Sequence, residues 1–275
     1  MTRIDEVHID TGTPELLCLV RERVAVATLN RPQARNALSD NLTPALRRMV
    51  KRCADDPDIG ALLITGAGAA FCAGGDIKSM GGSSSKDVSQ DQRIENLQHK
   101  QRTLTGALVA LRKPTIAALP GPAAGAGLAI ALACDIRIAA QSAFVTTGYV
   151  RIGLSGDYGI AWLLTRAVGS ARARELMLFS ERVVATRCEA IGLVNRVVPD
   201  ELLQQQAFEF AMRLANGPGT ALHFIKDNLD DASIVDFPTG LDREAERMIA
   251  SAQTPDHKEA VRAVVERREP RFGAT

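Results

Sequence analysis

The chain has 275 residues, 46% apolar and 24% charged, and 33 Lys and Arg stand against 32 Asp and Glu for a formal net charge of +1. Such a length buries a sizeable core, and so even a charge argues against nucleic acid or an anionic membrane as the main partner. No apolar run approaches the roughly 20 residues of a membrane span, the polar start at 1–6 is unlike a secretory or transit peptide, and five scattered cysteines (Cys18, Cys53, Cys72, Cys134, Cys188) make neither a CxxC pair nor a disulfide framework.

Taken in order, residues 1–15 read as a loose leader. Two β-like runs within 16–29 flank Arg21-Glu22-Arg23 and predict a hairpin. Ser39 reads as a helix N-cap, and Leu42, Leu46, Met49, Val50 and Cys53 recur at helical spacing until Asp55-Asp56-Pro57-Asp58 stops them. Ala61-Leu62-Leu63-Ile64-Thr65-Gly66 is a buried strand that runs into the Gly/Ala-rich loop 67–77. The Ser-rich stretch 80–86 is low in complexity and expected to be mobile. Residues 93–111 are helical in pattern.

The most informative stretch is 113–135. Thr115-Ile116-Ala117-Ala118-Leu119 reads as a second buried strand, Pro120-Gly121-Pro122 ends it, and a helix starts near Gly125. Small residues there let another group approach the backbone closely. The first turn of a helix has N–H groups with no partner inside it, and they suit an anion or an oxygen that becomes anionic. The loop after 61–66 is a similar junction. Side by side, the two junctions offer two N–H donors to one oxygen.

Beyond Asp135 the pattern gives a strand at 136–140, a long loop at 145–159, a helix at 160–168 closed by Gly169 and another at 171–179. A helix and a short strand follow within 185–199. From Asp200 the pattern is helical only, broken at Gly217-Pro218-Gly219 and at Asp236-Phe237-Pro238. The expected division is therefore 1–199 for the core and 200–275 for a helical region.

Phe71-Cys72-Ala73-Gly74-Gly75-Asp76-Ile77, Pro114-Thr115-Ile116-Ala117-Ala118, Gly125-Ala126-Gly127 and Ala133-Cys134-Asp135-Ile136-Arg137-Ile138-Ala139, in this order, resemble the crotonase (enoyl-CoA hydratase/isomerase) superfamily. The resemblance covers nearly all of the chain beyond the leader. It implies an α/β fold, a crotonase-type ββα spiral with a C-terminal helical trimerisation region, and a homotrimer or dimer of trimers, while the scattered cysteines fit a reducing cytoplasm. It implies an acyl-CoA substrate, with no metal and no redox cofactor. Gly75 and Ala126 would supply the oxyanion-hole N–H groups. Arg35, within the stretch Asn30-Arg31-Pro32-Gln33-Ala34-Arg35-Asn36-Ala37-Leu38, suits a coenzyme A phosphate. Ala34, Ala73, Ile77 and Tyr149 would line the coenzyme A and acyl sites, and Asp76 reads as structural.

The sequence departs from the hydratase pattern at its acids. Hydratases hold a water between two glutamates, and those positions here are Ala129 and Tyr149. Asp157, eight residues on, matches a place where some relatives, among them ring-opening isomerases, carry a catalytic aspartate. One carboxylate suffices to move a proton between two carbons. The bland alternatives are that Asp157 caps the helix near Ile160 and that Tyr149 only walls the pocket. Val150, Ile152 and Leu154 are expected to desolvate Asp157. Other readings are a hydratase by a non-standard site and an acyl-CoA binder without catalysis. Gly125-Ala126-Gly127 matches a dinucleotide fingerprint poorly, since Ile130 falls where the third glycine belongs.

Overall fold

The computed structural model describes residues 6–76 and 88–273. Ile77 and the Ser-rich stretch 80–86 lie outside them.

Strands β1 (Val7–Ile9), β2 (Leu16–Arg21) and β3 (Val24–Leu29) form an antiparallel meander. Residues 7–15 are thus not a loose leader. Val7 pairs with Val20 and Ile9 with Cys18, while the Thr11 hydroxyl donates to the Leu16 carbonyl at 2.6 Å. Only Ile9 of the three strand residues is buried, too little to leave a readable period.

From β3 the sheet turns parallel through β4 (Ala61–Gly66), β5 (Thr115–Leu119), β7 (Ile136–Ala140) and β10 (Arg196–Val198). Every residue of β4 and β5 is buried, as expected of apolar strands covered on both faces. The short strands β6 (Ala123–Ala124), β8 (Phe144–Thr146) and β9 (Val183–Val184) make a second sheet. The turns of β5 and β7 each give one strand to the large sheet, a short one to the small sheet and then a helix, and the turn of β4 reaches the small sheet through the single bridge of Cys72 to Ala123. The expected ββα spiral is present.

Helix α1 (Leu42–Asp55) buries Leu42, Leu46, Met49, Val50 and Cys53. The Ser39 hydroxyl oxygen accepts from the Leu42 N–H at 3.0 Å, so it caps from three residues ahead of the first regular turn. Helix α2 (Gln90–Gln101) passes through a π-turn (Arg102–Gly106) into the short α3 (Ala107–Ala110). Helix α4 (Ala126–Ala133) is buried along its whole length. Helix α5 (Ile160–Phe179) is broken at Gly169, where the sequence places a stop. Helix α6 (Ala185–Ala190) precedes β10. Helix α7 (Leu203–Ala215) lays Leu203, Ala207, Ala211 and Ala215 on the large sheet. Helices α8 (Gly219–Asp231), α9 (Phe237–Ala252) and α10 (Pro255–Glu266) complete the chain. All five cysteines are buried free thiols. No helix among the described residues is long and apolar enough to cross a membrane.

Candidate active site

The site forms where the loop after β4 docks on the turn between β5 and α4. Cys72 bridges to Ala123, with the Ala124 N–H donating to the Cys72 carbonyl at 2.9 Å and the Cys72 N–H to the Pro122 carbonyl at 3.2 Å. The fit requires glycine at two places. A Cβ on Gly127 would lie 2.4 Å from the Cys72 carbonyl oxygen. One on Gly74, whose φ is +89°, would lie 2.8 Å from the Ala124 oxygen and 3.4 Å from the Ala126 nitrogen. The backbone at Gly74 is therefore pressed against the start of α4.

That contact brings the two expected donors together. The Leu38–Gly75 bridge uses the Gly74 carbonyl and the Asp76 N–H, leaving the Gly75 N–H out of the ladder. Ala126 is the first residue of α4, so its N–H has no acceptor within the helix. Gly75 and Ala126 line one cleft of about 250 Å³ together with Leu38, Arg47, Leu97, Lys100, Asp157 and Tyr158. Leu97 and Lys100 bring the helical segment 93–111 to the cleft. A roomier cavity of about 580 Å³, walled by Arg23, Lys113 and His223, shares no residue with this cleft.

Asp157 is half-buried in the cleft wall. The Tyr149 hydroxyl donates to its Oδ1 at 2.6 Å. The carboxylate does not cap the following helix; the Ile160 N–H donates to the backbone carbonyl of Asp157 instead. Burial raises the Asp157 carboxyl above the ordinary range, and the Tyr149 hydrogen bond offsets part of the rise. Burial and then the nearby Asp157 charge raise the Tyr149 phenol, which stays a proton donor. The hydroxyl end of Tyr149 also abuts Gly125: a Cβ there would be 3.9 Å from the Tyr149 oxygen. Tyr149 thus spans the gap from the helix start to Asp157. Val150, Ile152 and Leu154 do not desolvate Asp157 as expected. They are 49%, 48% and 49% exposed, because the 3₁₀ turn Tyr149–Ile152 sends only Tyr149 inward. Ala129 is fully buried in α4, where it places no carboxylate.

Arg35 is exposed, and its carbonyl accepts from the Ala73 N–H at 2.9 Å, so Arg35, Ala34 and Ala73 share one rim. Asp76 is ion-paired to Arg31 at 3.1 Å. Two residues acquire a role that spacing did not suggest. Asn36 is fully buried at φ 56°; its Oδ1 accepts from the Arg31 N–H at 2.8 Å, and its Nδ2 donates to the carbonyls of Ala67 at 3.0 Å and Ala70 at 2.8 Å. It ties the loop 30–38 to the one that carries Gly75. The tolerance of asparagine for positive φ was the available signal. Arg47 lines the cleft, and its Nε and Nη2 are buried without a hydrogen-bond partner among the described residues. Its signal was a charge between Thr43 and Val50 on a buried helix face.

Residues 20–275 match the family model described as enoyl-CoA hydratase/isomerase. The chain is 35% identical over 251 residues to the probable enoyl-CoA hydratase echA8 of Mycobacterium bovis, covering 91% of this chain and 95% of that protein. It is 34% identical over 261 residues to the 1,2-epoxyphenylacetyl-CoA isomerase of Escherichia coli, covering 94% and 97%. The crystal structure of an enoyl-CoA hydratase from Polaromonas sp. JS666 superimposes with a TM-score of 0.86 at 30% identity, covering 93% of this chain and 98% of that one.

Proposed function

The chain belongs to the enoyl-CoA hydratase/isomerase family, and on that footing we propose that it isomerises an unsaturated acyl-CoA thioester through a single aspartate. The observation that carries this reading is the Asp157 carboxylate, held by Tyr149 in the same cleft as the N–H groups of Gly75 and Ala126. The thioester oxygen sits between the two N–H groups. Asp157 takes a proton from the α-carbon of a chain unsaturated at β,γ. The C–H electrons form a double bond between the carbonyl carbon and the α-carbon, giving a dienolate whose charge rests on the oxygen, and the α,β double bond appears only when that charge returns. The new carboxylic acid then returns the proton to the γ-carbon, and the carbonyl re-forms. Each donor to the developing oxyanion is worth about 3 kcal/mol in reactions of this kind. The step is proton transfer alone and asks for no metal or redox group.

With Ala129 and Tyr149 where the hydratase pattern has glutamates, no carboxylate pair clamps a water. The relative that acts as a 1,2-epoxyphenylacetyl-CoA isomerase supports isomerase chemistry on this fold. Arg35, Ala34 and Ala73 form the coenzyme A rim in this reading, with Ile77 following on the same loop in sequence. The test is a 3-enoyl-CoA in deuterium oxide. The double bond should shift with deuterium entering the γ-carbon, while crotonyl-CoA is not hydrated. Hydration of crotonyl-CoA at an ordinary enzymatic rate, about 10 per second, would overturn the single-aspartate route. Binding without exchange or turnover would reduce the protein to an acyl-CoA binder.

Residues 200–275 provide the assembly surface in the same reading, with 1–199 as the catalytic core. Ile225, Leu229, Leu241, Met248 and Ile249 are 50–69% exposed on the single chain, and large apolar side chains left in water mark an interaction surface where they cluster. Light scattering at micromolar concentration is expected to give about three or six times the 29.4 kDa chain mass. A monodisperse monomer would refute the assignment.

A further inference from the structure

We infer that Arg47 is the recognition group for a carboxylate carried by the acyl chain itself, so that the substrate is the CoA thioester of a dicarboxylic acid. The inference rests on the proposed acyl-CoA reading of the cleft. Nε and Nη2 lie on one edge of the guanidinium, the edge that grips both oxygens of a carboxylate. In Arg47 both atoms are buried and neither has a hydrogen-bond partner. Two unmet donors on a half-buried guanidinium are costly, and no acceptor among the described residues meets that edge. Asp76 is engaged by Arg31 and Asp157 by Tyr149. Asp40 and Lys100, the other charged residues on the cleft, are exposed and make no hydrogen bond to Arg47. The Tyr158 hydroxyl is paired with the rest of the Arg47 side chain, which raises its acidity against the effect of burial.

A ligand that enters the cleft can bring the acceptor this edge lacks. Coenzyme A phosphates and an acyl carboxylate share the required chemistry. Position favours the second: Arg47 lines the cleft with Asp157 and Tyr158, where the reacting carbons lie, whereas Arg35 and Ala73 mark a separate rim. The cleft is also small, about 250 Å³, which suits a short chain with a charged end.

Binding of three probes tests this by calorimetry: hexanoyl-CoA, hexanedioyl-CoA and free coenzyme A, none of which carries a double bond to shift. The parent should bind the dicarboxylate thioester at least tenfold more tightly than its monocarboxylate counterpart. Arg47→Met should erase that preference and leave affinity for the other two probes within about twofold. Arg47→Lys, which keeps the charge without the two-pronged edge, should restore only part of it. Equal affinity of the parent for the two thioesters overturns the inference, and this measurement needs no variant to fold. A preference that survives Arg47→Met overturns it too. Equal weakening of all three probes in a variant with the parent's melting temperature would assign Arg47 to a coenzyme A phosphate instead. Binding is read without turnover, so failure of the isomerase reading shows separately, as absence of deuterium exchange in the parent.

Discussion

Asp157→Asn should abolish isomerisation, lowering the rate of deuterium entry by about 1,000-fold, within the usual range for a positioned acid–base group. The substitution keeps the shape and an oxygen that still accepts from Tyr149, but removes the base. Acyl-CoA affinity should be nearly unchanged. Stability should not fall. A carboxyl whose pKa is raised on folding costs stability above that pKa, and the amide removes the cost. The pH profile follows from the same shift. The base works only when ionised, so the rate falls as pH drops through the raised Asp157 pKa, at a higher pH than an ordinary aspartate near about 3.9. Because the Tyr149 hydrogen bond lowers that pKa, Tyr149→Phe should move the acid limb further up. Exchange as fast in the Asn variant as in the parent would make Asp157 a turn residue.

Gly127→Ala is expected to be severely damaging, because the added methyl group meets the loop that carries Gly75. The new Cβ would sit 2.4 Å from the Cys72 carbonyl oxygen and 2.7 Å from the Cys72 Cβ. Neither is the loose end of a flexible side chain. The same carbonyl accepts from Ala124, so relief of the clash must pull the start of α4 off the loop after β4. The distance between the Gly75 and Ala126 donors then changes. Overpacking of this kind costs about 1–3 kcal/mol, equivalent to a drop of roughly 2–12 °C in melting temperature. Even at a temperature where the variant is folded, activity should fall about 100-fold, because each donor must meet the oxyanion within hydrogen-bond reach. A stable variant with the parent's rate would show that the docking of the two loops does not set the hole.

Much of this architecture is legible in the sequence because its punctuation is strong. Pro120-Gly121-Pro122 ends β5 where expected, and the apolar runs of β4 and β5 read plainly as buried strands. The kink at Gly169 falls where a helix stop was read. Less legible are the strands of two or three residues, β1, β6, β8 and β9, which are shorter than any period. Asn36 and Arg47 were hidden for a different reason. Their surroundings are made by residues distant in the chain, Ala67 and Ala70 for the first and Tyr158 for the second. Val150, Ile152 and Leu154 mislead because composition does not say which way a 3₁₀ turn faces.

The walls of the cleft come from α1, the loop after β4, α2, the start of α4 and the loop before α5, at Arg47, Gly75, Leu97, Ala126 and Asp157. Successive turns of the spiral each lend one piece, separated by tens of residues. No fragment that ends short of Asp157 holds Gly75, Ala126 and Asp157 together. A chain emerging from the ribosome therefore cannot grip its ligand until more than half of it has been made, and contacts so far apart in sequence form late in folding. Ligand bound there couples to every turn at once, and its stabilising effect should be felt as global resistance to unfolding rather than as the quieting of one loop.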